Sequence, residues 1–208
     1  MATLLTSARN SMQTIKAAKT VLDNATNTRE IAFSGLKKLS TRVVNSLGAT
    51  DAAMQTVDDA ITINHKIQGQ RAGKKKQPPP APVPENPEEE SSPVQISVSQ
   101  QSYDSLVDHF TKLVQVVSTE PLYIPNENDL KVAQLTTYLA NLKAANTSAI
   151  NAHTSFSNAK IARDGLLYAP KSGIFDVACE VKKYVKSVFG ASSPQFLEKI
   201  LEMTPYGS

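Results

Sequence analysis

The sequence predicts an all-α protein, with two lobes of antiparallel helices joined by a disordered, proline-rich linker. Three observations carry this. Apolar residues recur at three- and four-residue steps through both halves, the period of an amphipathic helix. No segment shows sustained strand alternation; VQISVS at 94–99 alternates but has no partner strand. The stretch 69–93, GQRAGKKKQPPPAPVPENPEEESSP, holds seven of the twelve prolines. Proline lacks a backbone donor and fixes φ, so neither helix nor sheet crosses it. The expected division is a three-helix lobe at 1–68, a linker at 69–96 and a four-helix lobe at 97–208.

In the first lobe, Leu4, Ala8, Met12, Ile15, Ala18 and Leu22 share one helical stripe. A break is expected at 24–28, because Asn27 with Glu30 three residues on resembles a capping box. Phe33, Leu36, Leu39, Val43 and Leu47 form the second stripe, and Gly48 stands where a left-handed turn would end it. Thr50 or Asp51 would then cap a third helix carrying Met54, Val57, Ile61 and Ile67.

In the second lobe, Tyr103, Leu106, Phe110, Leu113 and Val117 form a seam of coiled-coil type that Glu120-Pro121 ends. A long helix follows the turn at Pro125-Asn126, with Leu135, Leu139, Leu142, Ala149, His153 and Phe156 on one face. It should reach Tyr168, near 40 residues or about 60 Å. Ile174, Val177, Val181, Val185 and Val188 build the next helix, which ends at Gly190. Ser193-Pro194 caps a last short helix with Phe196, Ile200 and Leu201. Leu47-Gly48-Ala49-Thr50 and Phe189-Gly190-Ala191-Ser192 resemble each other, which either duplication or a common way of stopping helices would produce.

Charge is unevenly placed. Residues 1–76 carry twelve Lys or Arg against five Asp or Glu, whereas 77–92 carry four Glu and no base. Residues 93–208 are balanced at ten of each. One cysteine, Cys179, excludes an internal disulfide framework. The start, MATLLTSARN, lacks the apolar core of a secretory signal, and no run approaches the roughly 18 apolar residues of a membrane span. A cytoplasmic protein without membrane association is expected.

The residues of common catalytic sites are scattered or missing. His65, His109 and His153 lie far apart, without the His or Glu spacing of helical metal sites. Cys179 has no histidine nearby to activate it. The eight glycines are spread singly, so no phosphate-cradling loop forms. The expectation is a protein that is not an enzyme, with no metal and no cofactor.

Three binding signals remain. The seam residues Leu106, Phe110, Leu113, Leu139, Leu142 and Phe156 are candidates for a helix–helix interface with another chain or a second copy, and equally for the lobe's own core. Lys37, Lys38 and Arg42, with Arg71, Lys74, Lys75 and Lys76, are candidates for meeting an anionic polymer such as nucleic acid. The first 90 residues hold one aromatic, Phe33, which leaves little for stacking on bases. Lys76–Pro82 matches the form of a polyproline ligand, so the linker is a candidate adaptor segment.

NTREIAF (27–33), INHKIQGQRA (63–72), SQQSYDSLVDHF (99–110) and VKKYVKSVFGASSPQF (181–196) resemble a family of uncharacterised helical proteins from Bacteroidota bacteria. The resemblance spans most of the chain outside the linker. It implies a bacterial, non-secreted setting and transfers no activity, cofactor or site residue. The expected function is a structural or scaffolding protein that acts by helix-to-helix association.

Overall fold

The computed structural model describes residues 2–70, 101–194 and 196–198. The protein is all-α: the described residues form six α-helices and one 3-10 turn, with no strand among them. The 94–99 stretch, nearly all of the 69–96 linker, and Ile200 and Leu201 lie outside the described residues.

Helix α1 (Ala2–Ser34) is assigned without interruption across 24–28, where a break was expected. The stretch has no Gly or Pro, and Asn and Thr cost only a few tenths of a kcal/mol each relative to Ala, at most ~0.7. Thr14 and Thr20 donate to the carbonyls of Asn10 (3.0 Å) and Lys16 (3.1 Å), four residues back within the helix. The chain is instead interrupted at Gly35, before α2 (Leu36–Gly48). There the Tyr138 hydroxyl donates to the Ala32 carbonyl at 2.8 Å. Helical bonding resumes at once, with Leu39 N–H donating to the Gly35 carbonyl at 3.0 Å.

Gly35 has φ −87° and ψ −11°, a conformation any residue adopts. A methyl group there would meet only the Tyr138 hydroxyl, at 3.8 Å. Gly35→Ala is therefore expected to raise stability by about 0.5–1 kcal/mol, read as a higher denaturant midpoint.

Gly48 does not turn left-handed. The residue after it, Ala49, caps α2 at φ −87°; its N–H donates to the Asn45 carbonyl at 3.1 Å and the Thr50 N–H to the Leu47 carbonyl at 3.0 Å. Thr50 bonds within the turn rather than capping a helix: its Oγ1 donates to the Leu47 carbonyl at 2.7 Å and accepts the Ala52 N–H at 3.3 Å. Helix α3 (Met54–Gln68) starts at Ala53 with no side-chain cap and ends at Gly69, where φ is 76°.

Helix α4 (Tyr103–Thr119) opens on Ser102, whose hydroxyl accepts the Ser105 N–H at 3.2 Å. A 3-10 turn (Asn128–Leu130) precedes α5 (Val132–Tyr168), so the long helix begins later than Pro125-Asn126 suggested. Buried Tyr123 ties the intervening loop down by donating to the Leu130 carbonyl at 2.9 Å. Burial pushes its phenol up to about 12. Helix α6 (Ile174–Phe189) stops at Gly190 with φ 81°. Ser193 then accepts the Phe196 N–H at 3.1 Å, the expected cap.

Residues 26–149 form one compact unit; 1–25 with 150–208 form another. In the first, α3 packs on α4 and on α2. Phe33, Leu36, Val43, Leu47, Ala60, Ile67, Phe110, Leu113, Val117 and Leu135 are among the residues of its core. Compactness thus does not follow the lobes 1–68 and 97–208. The apolar faces of α3 and α4, on either side of the proline-rich stretch, cover each other. The second unit is thinly cored: its buried apolar side chains among the described residues are Ala8, Ala152 and Phe196.

Candidate functional site

The structure sorts the interface candidates sharply. Leu106, Phe110, Leu113, Leu139 and Leu142 all lie inside the core of the 26–149 unit. Phe110 stands edge-on to Tyr138, with ring centroids 5.7 Å apart. A side chain already covered within the chain offers nothing to a second one. Phe156, in the other unit, is half-buried, with the Lys160 ammonium 5.1 Å from its ring. His153 is exposed rather than part of the apolar face; Ala149 and Ala152 take the buried positions.

The basic candidates are only partly gathered. Lys38 and Arg42 stand one helical turn apart on α2 and line an open depression of about 450 Å³ with Leu39, Asp129 and Tyr138. Arg42 is committed there: both arms of its guanidinium meet the two oxygens of Asp129. That hydrogen bonding raises the Arg42 pKa and holds the Asp129 carboxyl below its usual range. Lys37 lies elsewhere, its ammonium 3.4 Å from the Gln68 carbonyl. Arg71, Lys74, Lys75 and Lys76 lie outside the described residues.

One polar cluster was not anticipated. Arg29 on α1 lies over the Tyr103 ring at 4.1 Å, and its Nη1 donates to Asn146 Oδ1 at 3.3 Å. Asn146 Nδ2 donates in turn to Asp104 Oδ1 at 2.6 Å. Tyr103 meets Phe33 edge-on at 4.8 Å. The cluster pins α1, α4 and α5 in one register. Its legible signal was a lone Asn between Leu142 and Ala149 on an otherwise apolar stripe, the position at which coiled coils use a polar residue to fix alignment.

Histidine placement offers no metal centre. Among the described residues, no group of three or more His, Cys, Asp or Glu side chains could hold an ion. His109 is half-buried on α4, and both its ring nitrogens are buried without a hydrogen-bond partner. Burial, with Lys66 and Lys112 nearby, lowers its pKa below the ordinary value.

The remaining feature is α6. Its apolar positions Ile174, Val177, Ala178, Val181, Val185 and Val188 fall on one broad face, and none is fully buried: Val188 is exposed and the other five are half-buried. Among the described residues, the exposed aromatic side chains all fall at 168–189: Tyr168, Phe175, Tyr184 and Phe189. Tyr184 is 70% exposed with Val188 one turn on, and Phe175, on the opposite side of the helix, is 62% exposed. By contrast α2, equally amphipathic, buries Leu36, Ser40, Val43, Val44 and Leu47. Lys182, Lys183 and Lys186 are exposed on the side of α6 opposite Val181, Val185 and Val188.

No protein family, curated protein or solved structure matches this chain.

Proposed function

We propose that this protein is a non-enzymatic scaffold that works by helix-to-helix association with further copies of itself, and that α6 supplies the associating surface. The observation that carries this is an amphipathic helix with no buried residue and three exposed aromatic rings, Phe175, Tyr184 and Phe189. Large exposed apolar patches mark association surfaces, and aromatic side chains dominate their energetics. The resemblance to uncharacterised bacterial helical proteins adds a setting to this reading. Among the described residues, no helix is long and apolar enough to cross a membrane.

Polyanion binding through α2 has weaker support, because Arg42 is already paired with Asp129. An adaptor role for the proline-rich stretch rests on its sequence pattern alone.

Light scattering of the full chain tests the reading. The native chain is expected to exceed monomer mass at micromolar concentration. Tyr184→Glu with Val188→Glu should be monomeric with unchanged helicity, since both side chains are exposed. A native chain that stays monomeric, or a double variant that assembles like it, would overturn the proposal.

A further inference from the structure

Helices α3 and α4 leave an open groove of about 480 Å³ where they meet. Lys66 lines it from α3 and Lys112 from α4, beside the apolar side chains of Ile63 and Val116. Neither lysine enters an ion pair among the described residues. We infer that the lysine end of this groove is a binding site for a small oxyanion group, a phosphate or a carboxylate, held between the two ammonium groups. The groove is polarised along its length. Among the described residues that line it, the one carboxylate is Asp59, seven residues before Lys66 and about 10 Å away along the helix axis. The other end therefore carries two like charges from two helices, with no acid on its walls to balance them.

His109 points the same way. It stands one turn before Lys112, and both its ring nitrogens are buried without a partner. The charged groups that bear on it are Lys66 from α3, and Lys112 and Asp108 from α4. Burial and the two ammonium groups favour the neutral ring, against the pull of Asp108. An anion between the lysines offsets their charge and lets the imidazole take up a proton more readily. Thr62 and Gln115, also on the walls, supply hydroxyl and amide donors. The apolar side chains beside them lower the local dielectric, which strengthens the attraction. Two sources offer this chemistry, a free anion and the chain's own carboxylates. Gln101 Nε2 donates to the Lys66 carbonyl at 2.7 Å, so the flanks of 71–100 are held beside the lysine end. That stretch contains Glu85, Glu88, Glu89 and Glu90, with no base at 77–92. A group tethered so close competes at an effective concentration in the millimolar range.

An NMR titration of the full chain with sulfate, at constant ionic strength, tests this. Sulfate keeps its charge over the range in which histidine titrates. Amide shifts around Lys66 and Lys112 should saturate in the millimolar range, and saturating sulfate should raise the His109 pKa. Lys66→Gln with Lys112→Gln should weaken binding by roughly tenfold or more. Both lysines are exposed, so circular dichroism should show unchanged helicity, and Lys112→Gln alone repeats the test with less change. A variant with Glu85→Gln, Glu88→Gln, Glu89→Gln and Glu90→Gln separates the two sources. Sulfate affinity equal to that of the native chain assigns the site to a free anion. Affinity tightened by roughly tenfold, and lost again with the lysine changes, assigns it to the chain's own carboxylates. No saturation in either the native chain or the glutamine variant would overturn the inference. So would binding that the lysine changes leave intact, or saturation that leaves the His109 pKa where it was.

Discussion

Replacing Phe110 by Ala is expected to cost about 3–5 kcal/mol, a large share of the 5–15 kcal/mol that holds a typical domain. Phe110 is fully buried, and its ring leans edge-on against Tyr138. Truncation removes its burial and leaves a void bordered by side chains from several helices. The spatial pattern of the loss is as informative as its size. Because α3 and α4 cover each other, amide protection should fall in both together, although residues 71–100 separate them in sequence. Hydrogen exchange reads this directly. Loss confined to α4, with α3 still protected, would contradict a shared core.

The second large effect concerns His109→Leu, which is expected to stabilise the protein and flatten its response to acid. Burial first, then the charges of Lys66 and Lys112, lower the His109 pKa, while Asp108 opposes them. A histidine with a lowered pKa binds its proton more weakly when folded than when unfolded. Its neutral form therefore supports the fold fully above about pH 6.5, and that support declines as pH falls through 6.5 towards the folded value. Leucine removes this dependence together with two buried ring nitrogens that have no partner. A gain of about 1–3 kcal/mol at neutral pH is expected on that ground. Denaturant midpoints at pH 8 and pH 5 measure both effects. An unchanged gap between the two midpoints in the variant would refute the assignment.

Much of the fold was legible because helix stops are local. Pro121, Pro170 and Gly190 mark the ends of α4, α5 and α6 in the sequence itself, and the three- and four-residue steps between them leave little room for strands. The error at 24–28 has the same origin. Asn and Thr favour caps, but a preference of a few tenths of a kcal/mol per residue yields to a long helix with nothing forbidding inside it. What covers each apolar face was not legible. Periodicity identified Leu106, Phe110 and Leu113 as one side of a rod, but not α3 as a neighbouring rod across the proline-rich stretch. The candidate surface was hidden for the same reason. The stripe on α6 reads like the stripe on α2, and only tertiary packing distinguishes the closed face from the open one. Asn146 was readable as a seam asparagine, although its partners Arg29 and Asp104 come from elements far away in the chain.

Gln101 Nε2 donates to the Lys66 carbonyl at 2.7 Å, and a methyl group at Gly69 would come within 3.0 Å of Gln101 Cδ. Helices α3 and α4 are thus the arms of a hairpin whose tip is bridged through space. The polypeptide leaves and returns at nearly one point. Lengthening or shortening the sequence between those two positions should therefore leave the two arms together.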